Sequence, residues 1–285
     1  MIEAPSGKGA ADENFPVGSF LLPARLRPHV ARFYEFARAI DDIADSPVLA
    51  TDEKILRLEA MRQALEGELG ADVQGLEKAQ AIRQSLRETG ITTRHCADLI
   101  SAFKQDAVKL RYDNWADLMD YCNRSAAPVG RYLLDLHGEE SQHYPWSDAL
   151  CNALQVINHL QDCADDYVLL DRVYLPGDWL AAEGATVEDL SGTHATPGLR
   201  RVIDRCIEGT RALLADARRL PGALSSRRLA YESAVIVRIA ERLTDELASR
   251  DPIAERVELT KPQFLACGIS GLWSATVGAR RNGNG

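Results

Sequence analysis

The stretch FYEFARAIDDIADSP, residues 33–47, sets the problem that the rest of the chain has to answer. Phe33, Phe36, Ala37, Ile40, Ile43 and Ala44 recur at the spacing of a helix that buries most of its surface. Asp41, Asp42 and Asp45 lie inside the same helix with no lysine adjacent. Residues three and four apart share a helix face. Tyr34, Arg38, Asp41 and Asp45 therefore form one polar stripe, with Asp42 beside it and four residues from Arg38. Ser46-Pro47 closes the helix.

A second stripe lies about 120 residues further along the chain, in LQVINHLQDCADDY (154–167). Gln155, Asn158, Asp162 and Asp166 step by three, four and four. Val156, Ile157, Leu160, Cys163 and Ala164 occupy the flanking faces, and Asp165 is turned away by about 100°. Ionised carboxylates in apolar surroundings repel and are poorly solvated. Water relieves this if both stripes are solvated faces, the plainer reading for a single acidic helix. With apolar residues on the remaining faces of both, a divalent cation is the better answer. If the two helices face each other, five carboxylates surround one cavity. Oxygen donors suit hard cations, Mg²⁺ or Mn²⁺. Mg²⁺ commonly completes its shell with water and phosphate oxygens, so the expected substrate is a diphosphate that the metal turns into a leaving group. Arg38 offers a fork of donors to phosphate or, read alone, a partner for Asp42.

The surrounding chain is consistent with this. Its 285 residues are 46% hydrophobic with a formal net charge of −9, which argues against nucleic acid as a partner. Helical periods dominate: Pro28–Asp45, Asp52–Leu69 stopped by Gly70, Leu76–Glu88, Thr93–Leu110, Asn114–Leu136 and a helix from a Ser147 cap to about Val168. Short helices are expected over 176–197, followed by Arg200–Leu220, Ser225–Ser249 and Lys261–Thr276. No alternating β-branched run is long enough for a sheet. The expectation is an all-α bundle of roughly nine to eleven helices in one domain over residues 13–279, with flexible ends at 1–12 and 280–285. The six scattered cysteines read as reduced core thiols, and the polar, acidic N-terminus as no signal peptide, so a cytoplasmic protein is expected. The stripe Leu265, Ile269, Leu272 and Trp273 reads as core rather than membrane contact. His159 reads as a packed or surface histidine. A di-iron bundle would need two Glu-x-x-His pairs; the one such spacing, Glu140 to His143, lies in a loop.

RAIDDIAD (38–45) and QVINHLQDCADDY (155–167) resemble the two aspartate-rich motifs of the squalene/phytoene synthase family. YCNRSAAPVG (121–130) and DRVYLP (171–176) resemble further segments of it, and the resemblance extends over roughly residues 14–257. It implies an all-α isoprenoid-synthase bundle around a central cavity. ENFPVGSFLLP (13–23), Ala126-Pro128-Val129-Gly130 and DPIAERVEL (251–259) resemble its hydroxysqualene synthase branch, found in bacterial hopanoid and squalene formation. That branch takes presqualene diphosphate, expels diphosphate, rearranges the cation and captures it with water. The resemblance implies Asp41, Asp45, Asp162 and Asp166 as metal-associated carboxylates and Asp42 as their support. It implies Arg38 and Asn158 at diphosphate or metal, and Tyr34, Gln155 and Tyr121 near the reacting carbons. Asn14, Phe15, Arg172 and Arg256 fall at substrate-binding positions.

Read without the resemblance, Tyr34 and Tyr121 could equally be core tyrosines, and Gly130 a contact that lets helices approach. Where condensing members carry serines and a basic residue, this chain has Glu13-Asn14; where several carry arginine it has Gln161, and Ile239 stands about where several have tyrosine. Fewer basic groups favour a substrate with one diphosphate over condensation of two. The alternatives are a squalene, dehydrosqualene or phytoene synthase, or a catalytically silent assembly factor, against which the intact motifs argue. No nicotinamide cofactor is expected. The expected pathway partners make presqualene diphosphate and reduce hydroxysqualene, and the C30 lipids involved would bring peripheral contact with the inner membrane.

Overall fold

The computed structural model describes Ile2, residues 22–70 and residues 73–282, with side chains as far as Trp273. The expected positions Asn14 and Phe15, and most of the two ends read as flexible, lie outside the described residues.

Helix α1 (Arg27–Asp45) has Pro28 in its first turn, where the missing N–H costs no helix bond. It buries Phe33, Phe36, Ile40 and Ile43 and stops before Pro47. It packs on α2 (Thr51–Glu66), α3 (Glu77–Thr89) and α4 (Arg94–Asp106). The stop of α2 comes at Gly67, in the left-handed region at φ 81°, rather than at Gly70. After β1 (Arg111–Tyr112), α5 (Trp115–Ser125) is capped by the Asn114 side chain, which accepts from the Asp117 N–H. Then come α6 (Ala127–His137), a 3₁₀ turn at Ser141–His143, α7 (Tyr144–Gln161), α8 (Cys163–Leu170), β2 (Val173–Pro176) and α9 (Gly177–Ala182). A 3₁₀ turn at Val187–Ser191 leads to α10 (Pro197–Ala217), α11 (Leu220–Ala223), α12 (Arg227–Ser249) and α13 (Lys261–Asn282). Helix α7 sits centrally, packed on α5, α6, α10 and α12.

The all-α expectation holds, with five corrections. There are thirteen α-helices among the described residues, not nine to eleven. One cause is Pro128, which has no N–H to donate and splits the expected Asn114–Leu136 helix at Ala126. The second acidic motif is not one continuous helix either. It bends at Asp162, although the Asp162 N–H to Asn158 and Asp166 N–H to Asp162 bonds on either side are kept at 3.0 and 2.8 Å. Helix α7 also begins at Tyr144, with Pro145 in its first turn, so Ser147 is buried inside it rather than capping it. A short parallel pair forms after all, β1 with β2, pairing Arg111 with Val173.

The C-terminal stripe is the fifth correction. Leu265, Ile269 and Trp273 are 65%, 63% and 73% exposed, because α13 turns a different face inward. A side chain at Gly271 would come within 2.7 Å of the Val235 Cα, so the close approach of α13 to α12 requires glycine there. None of the six cysteines is in a disulfide. No helix among the described residues is long and apolar enough to cross a membrane.

Candidate active site

A cavity of about 340 Å³ is walled by side chains of α1, α4, α6, α7 and α12, within the range of ligand pockets. Most of the wall is apolar, with Val30, Phe33, Leu133, Leu150, Leu154 and Ile236 among its residues. The two motifs supply polar groups to the same wall: Tyr34, Arg38 and Asp41 from α1, Gln155 and Asn158 from α7. Their helical spacing is what brings them there, since each set lies along one face. Gly130 lines the wall where α6 meets α7. A side chain there would fall 2.3 Å from the Ser147 hydroxyl and 2.7 Å from the Cys151 sulfur.

Arg38 forks between two carboxylates, 2.8 Å to Asp41 and 2.7 Å to Asp42. Asp42 is buried, so its partner matters. Burial first, then the charge of Asp45, pushes the Asp41 carboxyl well above its ordinary range against the pull of Arg38. Its side chain is 27% exposed, and Asp41 lies on the cavity wall. On the other motif Asp166 is pushed up to about 7, by burial and then by Asp162 and Asp45. Asp45 and Asp166 thus repel each other across the two motifs.

The five carboxylates do not ring one cavity. Among them only Asp41 lines it; Asp45 is held by Arg172 at 2.8 Å and Asp162 by Arg256 at 3.0 Å. Among the described residues no three Asp, Glu, His or Cys side chains form a ready ligand set. The donors are nevertheless all oxygen, sit on facing elements, and carry mutual repulsion that a cation would relieve. They fit a hard divalent ion that takes its remaining ligands from water and phosphate.

Tyr121 differs from its expected place. It is fully buried and does not line the cavity; its hydroxyl donates to Asp106 Oδ2 at 2.6 Å. His159 is packed, as its sequence suggested. Its ring stacks on Tyr174 at 3.5 Å, and burial, then Arg172, lowers it to about 3, so it is neutral.

Three groups escaped the sequence reading. Asp106, at the end of α4, is 3% exposed and is pushed up to about 7 by burial, against the pull of Arg172 and Tyr121. It sits in FKQDAVK, where neighbouring lysines make it look like an ordinary solvated charge. Tyr174 donates to it at 3.3 Å. Glu232, a buried carboxylate of α12, lies on the cavity wall between Leu229 and Ile236. A charge within an apolar stripe was a legible signal there.

Arg172 owes its direction to Asp171, a non-glycine residue at φ 51° that ends α8 with its N–H returned to Tyr167 at 3.1 Å. The chain turns back sharply and sends Arg172 inward. Arg111 clasps the outside of this turn, pairing with the Asp171 carboxylate and carbonyl.

The chain is similar to known proteins in sequence and fold. Residues 9–263 match the squalene/phytoene synthase family. The chain is 45% identical over 262 residues to the hydroxysqualene synthase of Zymomonas mobilis, covering 91% of this chain and 87% of that one. It is 42% identical to the hydroxysqualene synthase of Rhodopseudomonas palustris, over 96% and 93%. The crystal structure of squalene synthase HpnC from Alicyclobacillus acidocaldarius superposes with a TM-score of 0.70 at 34% identity, covering 80% of this chain and 85% of that one. A family match over most of the chain, joined to two acidic motifs meeting beside an apolar cavity, places this protein in the squalene/phytoene synthase family.

Proposed function

We propose that this chain is a hydroxysqualene synthase that converts presqualene diphosphate and water to hydroxysqualene and diphosphate, a carbon–oxygen lyase in its first step. The observation that carries the reading is one apolar cavity with Arg38 and Asp41 of the first motif and Gln155 and Asn158 of the second on its wall. Relatives of that name at 39–45% identity over most of the chain support it.

In this reading the diphosphate lies at the polar groups and the C30 chains lie along the apolar wall. Asp41, Asp45, Asp162 and Asp166 would hold Mg²⁺, or Mn²⁺ in its place, which when bound neutralises the leaving diphosphate. Arg38 donates to a phosphate oxygen, and Arg256 offers a second guanidinium beside Asp162. The carbon–oxygen bond breaks with its electron pair going to diphosphate. The cyclopropylcarbinyl cation rearranges within a largely apolar wall. Tyr34, Gln155 and Asn158 are neutral, so they can orient a water without themselves capturing the cation. The water oxygen forms the new bond, and its proton passes to the departing diphosphate. No nicotinamide cofactor takes part.

Two features argue against condensation of two diphosphates at this site. Gln161, where several condensing relatives carry arginine, is buried and donates its amide to the Val257 carbonyl. Ile239 is fully buried in the core. The exposed apolar face of α13 supports peripheral contact with a membrane holding these lipids.

Turnover of presqualene diphosphate in ¹⁸O-labelled water, with and without NADPH, tests the assignment. The expected product is an ¹⁸O-labelled alcohol, formed equally without NADPH. Squalene or dehydrosqualene as sole product, or an unlabelled alcohol, would overturn it. Thermal melting gives a second check. Mg²⁺ with diphosphate should raise the melting temperature, whereas diphosphate alone adds an anion to an acidic site and should do less. Equal stabilisation with and without Mg²⁺ would contradict the shared site.

A further inference from the structure

Behind the acidic motifs lies a buried polar cluster that neither motif contains. Asp106 is its centre, with three separate acceptors in use. Its Oδ2 accepts from Tyr121 at 2.6 Å and its Oδ1 from Tyr174 at 3.3 Å. Its main-chain carbonyl accepts from Arg172 Nη2 at 3.1 Å. The Arg172 Nε faces the same carboxylate, 4.0 Å from Oδ1. The other arm of Arg172 reaches Asp45 at 2.8 Å and the Tyr174 hydroxyl at 3.3 Å. Asp106, Arg172, Tyr121 and Tyr174 are all buried, with Asp106 at 3% and Arg172 at 5% exposure, while the Asp45 side chain is 38% exposed.

This arrangement has a direction. Asp45 sits on the open side of the cluster, where it can meet a ligand. Arg172 holds it from behind, and Asp106 fixes Arg172 from two sides. A lone arginine has many rotamers; one clamped at Nη2 and faced by a buried carboxylate at Nε has few. The tyrosines occupy both carboxylate oxygens, so the carboxylate itself cannot rotate without losing a bond.

We propose that Asp106 is a positioning residue for the diphosphate site: through Arg172 it fixes the orientation in which Asp45 is presented to the metal and diphosphate. The inference rests on the diphosphate reading given above and adds a residue outside both motifs. Asp106 does not line the cavity, so it does not touch the reacting atoms. Groups that orient ligating side chains from behind are commonly worth about ten- to a hundredfold in affinity or activity.

The test uses the full chain, with diphosphate and Mg²⁺ as probes. Asp106→Asn keeps the shape and removes the charge that faces Arg172. The Mg²⁺ concentration giving half of the thermal shift at fixed diphosphate should rise about tenfold or more. With presqualene diphosphate, kcat should fall by about as much while KM changes little, because the apolar wall that holds the chains is untouched. Tyr121→Phe leaves the carboxylate but frees one of its oxygens. It should shift the Mg²⁺ requirement in the same direction by about three- to tenfold, the scale of a typical intramolecular hydrogen bond, and it decides the matter if Asp106→Asn fails to fold. Folded variants with the wild-type Mg²⁺ requirement and kcat would overturn the inference alone. A wild-type protein that Mg²⁺ and diphosphate together do not stabilise would overturn the diphosphate reading and this inference with it.

Discussion

Asp41→Asn is expected to leave the chain folded and to lower turnover by about two or more orders of magnitude, the scale of losing a group that stabilises developing charge. The fold should survive because the side chain keeps its shape on the cavity wall and a repelling charge is removed. The sign of the stability change follows from the raised carboxyl of Asp41, whose largest cause is burial, followed by Asp45. For an acid whose folded pKa lies above its unfolded one, ionisation costs stability as pH rises between the two. Without metal the wild type should therefore lose stability from acid toward neutral and alkaline pH. The asparagine variant lacks that loss and should melt higher than wild type by the largest margin at pH 8. Melting curves at pH 5 and pH 8, with turnover at saturating Mg²⁺, check both halves. Near-normal turnover would remove Asp41 from the site. A variant that melts lower than wild type at pH 8 would mean that its ion pair with Arg38 outweighs the burial cost.

Arg172→Met carries the largest expected effect on stability. Arg172 is 5% exposed and stands between Asp45 and Asp106. Methionine would pack in much of the space but would leave Asp106 buried beside Asp45 with no cation between them. Removing one partner of a buried pair typically costs about 3–5 kcal/mol, because the other charge stays in low dielectric. Here part of the loss is recoverable, since Asp106 can take up a proton; the loss should shrink at pH 5, where that proton is available. Arg172→Lys restores charge but not the planar fork, and should recover stability more fully than turnover. Urea unfolding at pH 8 and pH 5 measures the first two quantities. A loss below about 1 kcal/mol at pH 8 would show that the cluster does not depend on the guanidinium.

The sequence by itself determined the helical class and the two acidic stripes, from which the metal and diphosphate chemistry is proposed. That information is local. A helix repeats every 3.6 residues, so which side chains share a face is fixed by spacing alone. The wall positions of Tyr34, Arg38, Asp41, Gln155 and Asn158 follow from that spacing once the two helices face one another. Pro128, a residue that ends or bends a helix, and Glu232, a charge in an apolar stripe, carried local signals that the helical reading passed over.

What only the tertiary structure decided is which partners the charges take. The bend at Asp162 has no proline or glycine to announce it. It accompanies contacts made some 95 residues away, where Arg256 pairs with Asp162 and the Val257 carbonyl accepts from Gln161. Tyr121 was legible as a tyrosine on a buried face, yet its hydroxyl is aimed by Asp106 rather than toward the cavity. Asp106 looks solvated in its own segment and becomes a buried centre only when α4, α5 and the turn at Asp171 close over it. The physical reason is desolvation. Whether a carboxylate is an ordinary surface charge or one that constrains its neighbours depends on how much water and which cations surround it, and distant segments of the chain supply both.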